Sequence, residues 1–127
     1  MSNQNTDIVK KMYDACMHKD AAAIKELTHP QYKLKDPMME VNGVDELIAM
    51  IQSCPSDNKF ENLTFISEGD KVVGTFDAVG SGSRMRMCSI ITIQDSKVRS
   101  EEMFYDTAQI SKEDREMMKK SMPGAKK

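Results

Sequence analysis

Gln31-Tyr32-Lys33-Leu34-Lys35-Asp36-Pro37-Met38-Met39-Glu40-Val41-Asn42-Gly43 is the stretch that decides how the chain is read. Side chains alternate along a strand, so Tyr32, Leu34 and Asp36 share one face, with a carboxylate where a core residue is expected. Pro37 keeps Asp36 extended and aims its side chain. Two methionines and an Asn-Gly turn signal follow. An acid on an apolar strand face under flexible apolar cover describes a pocket with one working group. An Asp-Pro pair can equally mark a strand end, its carboxylate in water or on a nearby backbone N–H. Both readings of Asp36 stand at this stage.

On the N-terminal side, Thr6 or Asp7 can cap a first helix. Ile8, Val9, Met12, Tyr13 and Cys16 fall in one helical stripe. Tyr13 lies inside that stripe, so its ring is expected to be buried and its hydroxyl to need a partner. His18-Lys19-Asp20 breaks the pattern. Asp20 can cap a second, short helix from Ala21 to Leu27, with Ala23, Ile24 and Leu27 inward, and Thr28-His29-Pro30 ends it. On the C-terminal side, Asn42-Gly43 opens a third helix with the stripe Val44, Leu47, Ile48, Ile51, stopped by Pro55.

Beyond Ser56-Asp57-Asn58 the period becomes strand-like. Four runs, about Lys59 to Glu68, Lys71 to Gly80, Ser83 to Gln94 and Lys97 to Asp106, are joined by turn signals of hairpin length at Glu68-Gly69-Asp70, Gly80-Ser81-Gly82 and Asp95-Ser96. They predict an antiparallel meander whose apolar face the helices cover. In the third run Met85, Met87, Ser89, Ile91 and Ile93 share a face, opposite Arg84, Arg86, Cys88, Ile90 and Thr92. In the fourth, Arg99, Glu101, Met103 and Tyr105 alternate with Val98, Ser100, Glu102 and Phe104. Both faces carry apolar groups, which points to a partner on the outer one, a homodimer through that face. Ser111-Lys112-Glu113-Asp114 resembles a capping box opening a final helix that Met117 and Met118 let pack, and the tail Pro123-Gly124-Ala125-Lys126-Lys127 reads as mobile. The division expected is residues 1–110 as one domain and 111–127 as a C-terminal helix and tail.

A chain of 127 residues is one domain, able to bury roughly two-thirds of its unfolded surface. Its net charge is −2 and its charges are interspersed, which argues against a nucleic-acid partner. No run approaches membrane-spanning length and the polar N-terminus is not a signal peptide, so a cytoplasmic, soluble protein with no membrane partner is expected. Cys16, Cys54 and Cys88 are widely spaced and read as reduced, mostly buried thiols. His18 and His29 lack metal-ligand spacing, so no metal is expected. Twelve methionines against no tryptophan describe either loose core filling or a pliable apolar cavity.

Met12-Tyr13, the His18-Lys19-Asp20 break, Asp36-Pro37, the helix from Asn42-Gly43 to Ile51, the hairpin Glu68-Gly69-Asp70-Lys71-Val72-Val73 and the run Val98 to Asp106 together give an order that resembles the nuclear transport factor 2-like superfamily, closest to its SnoaL-like and ketosteroid-isomerase-like branch. The resemblance covers about residues 6 to 108. It implies an α+β, cone-shaped, barrel-like fold: three N-terminal helices packed in a strongly curved, mostly antiparallel sheet around an apolar pocket, commonly as a homodimer. Ketosteroid isomerase pairs an Asp base with an oxyanion hole of a Tyr and a protonated Asp. The resemblance places Asp36 at the base and Tyr13 at the oxyanion-hole tyrosine. The protonated-acid position falls on Ser89, a weaker donor, which departs from the pattern. Glu101, Met103 and Tyr105 fall on pocket-lining positions, with Leu34, Met38, Met87 and Ile91 beside them. Glu101 is an unexpected acid there, able to replace part of the missing function or to pair with Arg99.

The expected function is a small-molecule pocket protein of the SnoaL-like type. As an enzyme it would be an isomerase or lyase resembling ketosteroid isomerases or polyketide cyclases, with no cofactor, Asp36 moving a proton and Tyr13 with Ser89 holding an oxygen. The alternative is a non-catalytic dimeric ligand-binding or protein-interaction module on the same scaffold. An epoxide-hydrolase-like set of Asp36, Glu101 and Arg99 has the residue types but not the parity or order.

Overall fold

Helix α1 spans Asn3–Met17, starting ahead of the capping signals at Thr6 and Asp7. Its stripe packs inward as the spacing predicts: Val9, Met12 and Tyr13 are buried, Ile8 and Cys16 lie half-buried at its edge, and Ala15 joins the core. The computed structural model describes residues 3–54, 58–80, 83–113 and 115–116. Lys19 takes a φ of 54° in the break after α1. Helix α2, Ala21–Leu27, follows, with Asp20 Oδ1 accepting the Ala23 N–H at 3.1 Å, which satisfies one of the donors a helix start leaves open.

Strand β1, Thr28–Lys35, starts three residues earlier than expected and buries Tyr32 and Leu34. The chain then turns back into a short strand, β2, Glu40–Asn42, which the sequence reading did not anticipate. It pairs antiparallel with β1, Leu34 opposite Val41. Helix α3, Val44–Ser53, begins after Gly43, whose φ of 93° suits a residue without a side chain. Leu47 is buried, and Val44, Ile48 and Ile51 pack half-buried against the core.

The meander follows as β3 (Lys59–Glu68), β4 (Lys71–Gly80), β5 (Ser83–Gln94) and β6 (Lys97–Phe104). Asp95 and Ser96 both have positive φ, 54° and 61°, as a two-residue hairpin turn whose twist matches its strands requires. The sheet order is β2-β1-β6-β5-β4-β3. All neighbours are antiparallel except β1 and β6, which run parallel. The result is an α+β unit of three helices on a six-stranded mixed sheet. Among the described residues that sheet is open, with β2 and β3 at its edges, rather than closed like a barrel. Helix α1 packs on β3, β4 and β6, while α2 and α3 pack on β1.

Face assignment holds in β5: Ser89, Ile91 and Ile93 are buried, and Arg84, Arg86 and Ile90 are exposed. It fails at the start of β6. Val98 lies opposite Ile93 and Ser100 opposite Thr92, so an extra residue interrupts the ladder. This bulge turns Val98 and Glu101 to the same buried side. Arg99 therefore does not share Glu101's face; its Nη1 donates to the Gln31 carbonyl. Strand β6 also stops at Phe104, and a 3₁₀ turn, Thr107–Gln109, follows, capped by Asp106 Oδ1 on the Ala108 N–H at 2.9 Å. The Arg115 N–H reaches the Ser111 carbonyl at 3.0 Å. Pro55, the Ser81-Gly82 turn, Met117, Met118 and the tail lie outside the described residues.

Gly74 shows how tightly the interior is filled. It sits between Phe65 on β3 and Ser89 on β5, and a Cβ there would meet Phe65 Cε1 at 2.7 Å. The Phe65 ring in turn meets the edge of Tyr13 at 5.6 Å. Gly74→Ala is expected to destabilise the fold by about 1–3 kcal/mol through overpacking, read as a lowered urea midpoint at unchanged slope.

Candidate functional site

The β6 bulge carries an acid into the core. Glu101 lies in register between Leu34 of β1 and Ile91 of β5, and is 6% exposed. From β5 comes Ser89, fully buried, whose hydroxyl donates to Glu101 Oε2 at 3.3 Å. β1 adds Tyr32, and α1 adds Tyr13. Among the described residues no Lys, Arg or His forms an ion pair with Glu101.

An unpaired carboxylate in an apolar interior holds its proton more tightly. Burial pushes Glu101 up to about 7, against the smaller opposing pull of the Ser89 and Tyr32 hydroxyls. Burial first, and the Glu101 charge second, push both phenols well above their ordinary range, so they remain O–H donors. Tyr13 approaches Ser89 and Tyr32 approaches Glu101. Neither phenol completes a hydrogen bond of ordinary geometry. The Tyr13 ring is fixed by Phe60, Phe65 and Phe76, with centroids 5.2, 5.6 and 5.3 Å away. Burial, then Glu101 and Cys54, also push the half-buried Cys16 thiol up. Cys16, Cys54 and Cys88 are all free and half-buried, less deeply placed than expected.

Asp36 belongs to a separate group. Its Oδ1 accepts the Met38 and Met39 N–H groups at 2.7 and 2.8 Å, and its own N–H reaches the Met39 carbonyl at 3.0 Å. The carboxylate thus closes the turn over Pro37 that returns the chain into β2. The Tyr105 hydroxyl approaches Asp36, and burial followed by that carboxylate pushes it up.

Of the residues singled out in the sequence, Tyr13, Ser89 and Glu101 come together, flanked by Leu34 and Ile91. Met103 lies opposite Ser89 and Met87 opposite Phe76. Asp36 and Tyr105 meet each other, beside Met38. Tyr32 was missed as a site residue. The signal that could have found it was its place on the strand face of Leu34 and Asp36. An open groove of about 540 Å³ between α1 and α2, lined by Lys11, Asp14, His18 and Glu26 among others, shares no residue with the acid cluster. Among the described residues no three His, Cys, Asp or Glu side chains gather as a metal would need, and no helix is long and apolar enough to cross a membrane.

A family model for the SnoaL-like domain matches residues 9–101. A search of the curated proteins finds no match. Among solved structures, a nuclear transport factor 2-like protein from Burkholderia xenovorans is similar at 20% identity, covering 86% of this chain and 94% of that one, with a TM-score of 0.77. A candidate ketosteroid isomerase from Kribbella flavida gives 0.76 at 13% identity over 83% and 79%. An LEH-like epoxide hydrolase from M. tuberculosis gives 0.70 at 11% over 85% and 86%. At these identities the likeness speaks for the fold.

Glu101 makes stability depend on pH with a definite sign. Its native pKa, about 7, lies above the ordinary 4.5, so between those values the native state holds more protons than the unfolded one. Stability is therefore highest below 4.5, falls as pH rises towards 7, and levels off above it. Denaturant melts of wild type and Glu101→Gln should diverge across that window. The glutamine variant is expected to lack the decline, which amounts to about 3 kcal/mol in wild type.

Proposed function

This chain belongs to the SnoaL-like domain family, and on that premise we propose that it is a cofactor-free general acid–base catalyst. Its substrate is a small apolar carbonyl compound, and the reaction an isomerisation, cyclisation or dehydration. The observation that carries the reading is Glu101: a carboxylate buried on the sheet's inner face, without a counter-cation among the described residues, amid three hydroxyl side chains.

A base works best when its pKa lies near the ambient pH, and Glu101 is held at about 7. The carboxylate takes a proton from the carbon beside the carbonyl. The C–H electron pair moves into a carbon–carbon double bond, and the negative charge passes to the oxygen, where Tyr13 donates a hydrogen bond. Protonated Glu101 then returns the proton to a different carbon. Ser89 holds Oε2 and so orients the acid. The base role falls to Glu101 in this reading, and Asp36, tied to the turn and to Tyr105, shapes the rim. Half-buried Met38, Met87 and Met103 give way to admit the ligand. Ile66, Ile90 and Phe104, exposed on the outer sheet face, support a homodimer through that face.

A second reading, a non-catalytic module, is favoured by the packing of Tyr13 against three phenylalanine rings, which fills interior space.

Native mass spectrometry of the purified protein identifies any co-purifying carbonyl compound, which is then assayed for turnover. Glu101→Gln is expected to lower kcat by about 10²- to 10⁴-fold, and Asp36→Asn, which keeps an acceptor oxygen for the turn, far less. The reverse ranking would return the base role to Asp36. A compound that wild type binds but leaves unchanged favours the second reading.

A further inference from the structure

We propose that Tyr32 is a positioning residue of the site: with Ser89 on one side of β6 and Tyr32 on the other, two hydroxyls grip the Glu101 carboxylate and hold it in one orientation. This rests on the acid–base reading above and adds how the base is held and what sets the pH at which it becomes available.

The register of the sheet carries the inference. Glu101 lies between Leu34 of β1 and Ile91 of β5. On each neighbouring strand a buried hydroxyl residue stands two positions earlier on the same inner face, Tyr32 before Leu34 and Ser89 before Ile91. β1 runs parallel to β6 and β5 antiparallel, so the two hydroxyl residues lie towards opposite ends of β6. Ser89 is opposite Met103, and Tyr32 is on the Val98 side. Diagonal neighbours of this kind are within reach of a long aromatic side chain. Ser89 donates to Glu101 Oε2 at 3.3 Å. Tyr32, 1% exposed, brings its hydroxyl to the same carboxylate from the other strand.

The final torsion of a glutamate side chain is broad. One donor restrains one end of the carboxylate, and a second from across the strand fixes its plane, so less orientation remains to be lost during proton transfer. A phenylalanine would fill the Tyr32 position without burying a hydroxyl, which makes the O–H the reason for a tyrosine there. That hydroxyl stops short of ordinary hydrogen-bond geometry. Hydrogen bonds to an ionised acceptor are shorter and stronger, so the contact tightens when Glu101 loses its proton. Tyr32 therefore favours the ionised base and, like Ser89, offsets part of what burial does. From α1, Tyr13 and Cys16 lie near enough for burial and the Glu101 charge to push both up. They keep their protons through the neutral range and add no charge. Among the described residues no cation is paired with Glu101.

The test follows the Glu101 side-chain carboxyl by carbon-13 NMR through a pH titration of the full chain, its resonance assigned by its loss in Glu101→Gln. Wild type, Tyr32→Phe and Tyr105→Phe are compared. Tyr32→Phe is expected to raise the Glu101 midpoint by about one pH unit, the worth of a hydrogen bond to a charged group. Tyr105→Phe, which removes the phenol facing Asp36, should leave it in place. A purely structural role for the Tyr32 hydroxyl would lower the melting temperature without moving the midpoint. A wild-type measurement covers a Tyr32→Phe chain that fails to fold: the ring carbon bearing the Tyr32 hydroxyl should shift at the same midpoint as Glu101. An unmoved or lowered midpoint in Tyr32→Phe, or a Tyr32 resonance that ignores the ionisation of Glu101, overturns the positioning role and leaves the acid–base reading standing. A wild-type Glu101 that titrates in the ordinary carboxylate range removes both.

Discussion

The parallel pairing of β1 with β6 joins the two halves of the candidate site. Tyr32 and Asp36 come from β1, while Ser89 and Glu101 come from the meander, and only this ladder sets Leu34 beside Glu101. Both strands are irregular where they meet. In β1 the register advances five residues, from Thr28 to Lys33, while β6 advances two, from Val98 to Ser100. The slack lies around Pro30, which has no N–H to give to a ladder. Without it, β1 would present its other face, and Lys33 and Lys35 would point where Tyr32 and Leu34 now do.

Two carboxylates lie on the inner side of this sheet, and their surroundings differ. Asp36 meets backbone N–H groups within three residues of itself, a local solution available to any aspartate before such a turn. Among the described residues the polar groups that Glu101 meets are hydroxyls brought by other elements, none of them charged. The first arrangement spends an acid on shape. The second holds an acid between its two protonation states, which is costly for folding and suited to proton transfer.

Much of this was legible in the chain itself. The stripes of α1 and α3, the Asp20 cap and the alternation of β5 all stand as read, because each depends on residues three, four or two apart. Tyr13 and Ser89 were found through the family resemblance, and the structure brings them together. What escaped the reading was non-local. β2 is three residues long, too short for a period to show. The β6 bulge carries no glycine or proline to announce it, and one extra residue moved Val98 to Glu101's side and Arg99 away. Tyr32 looked like core because nothing local shows that β6 brings an acid to its hydroxyl. Asp36 drew attention for its place before proline, where the turn itself needs it.

The β1–β6 ladder also bears on how the chain acquires its shape. Leu34 waits for a partner about 67 residues further along, so the closing contact is among the most distant in sequence. Loops of that length close at an entropic cost before their contacts repay it, which slows the search. The meander β3–β6, built from neighbours joined by tight turns, can form first and present β6 as a template. Until β1 docks, the inner edge of β6 is unpaired and Glu101 remains hydrated. The burial that raises its pKa therefore belongs to the last stage of folding, and the kinetics of that stage should respond to pH where earlier stages do not.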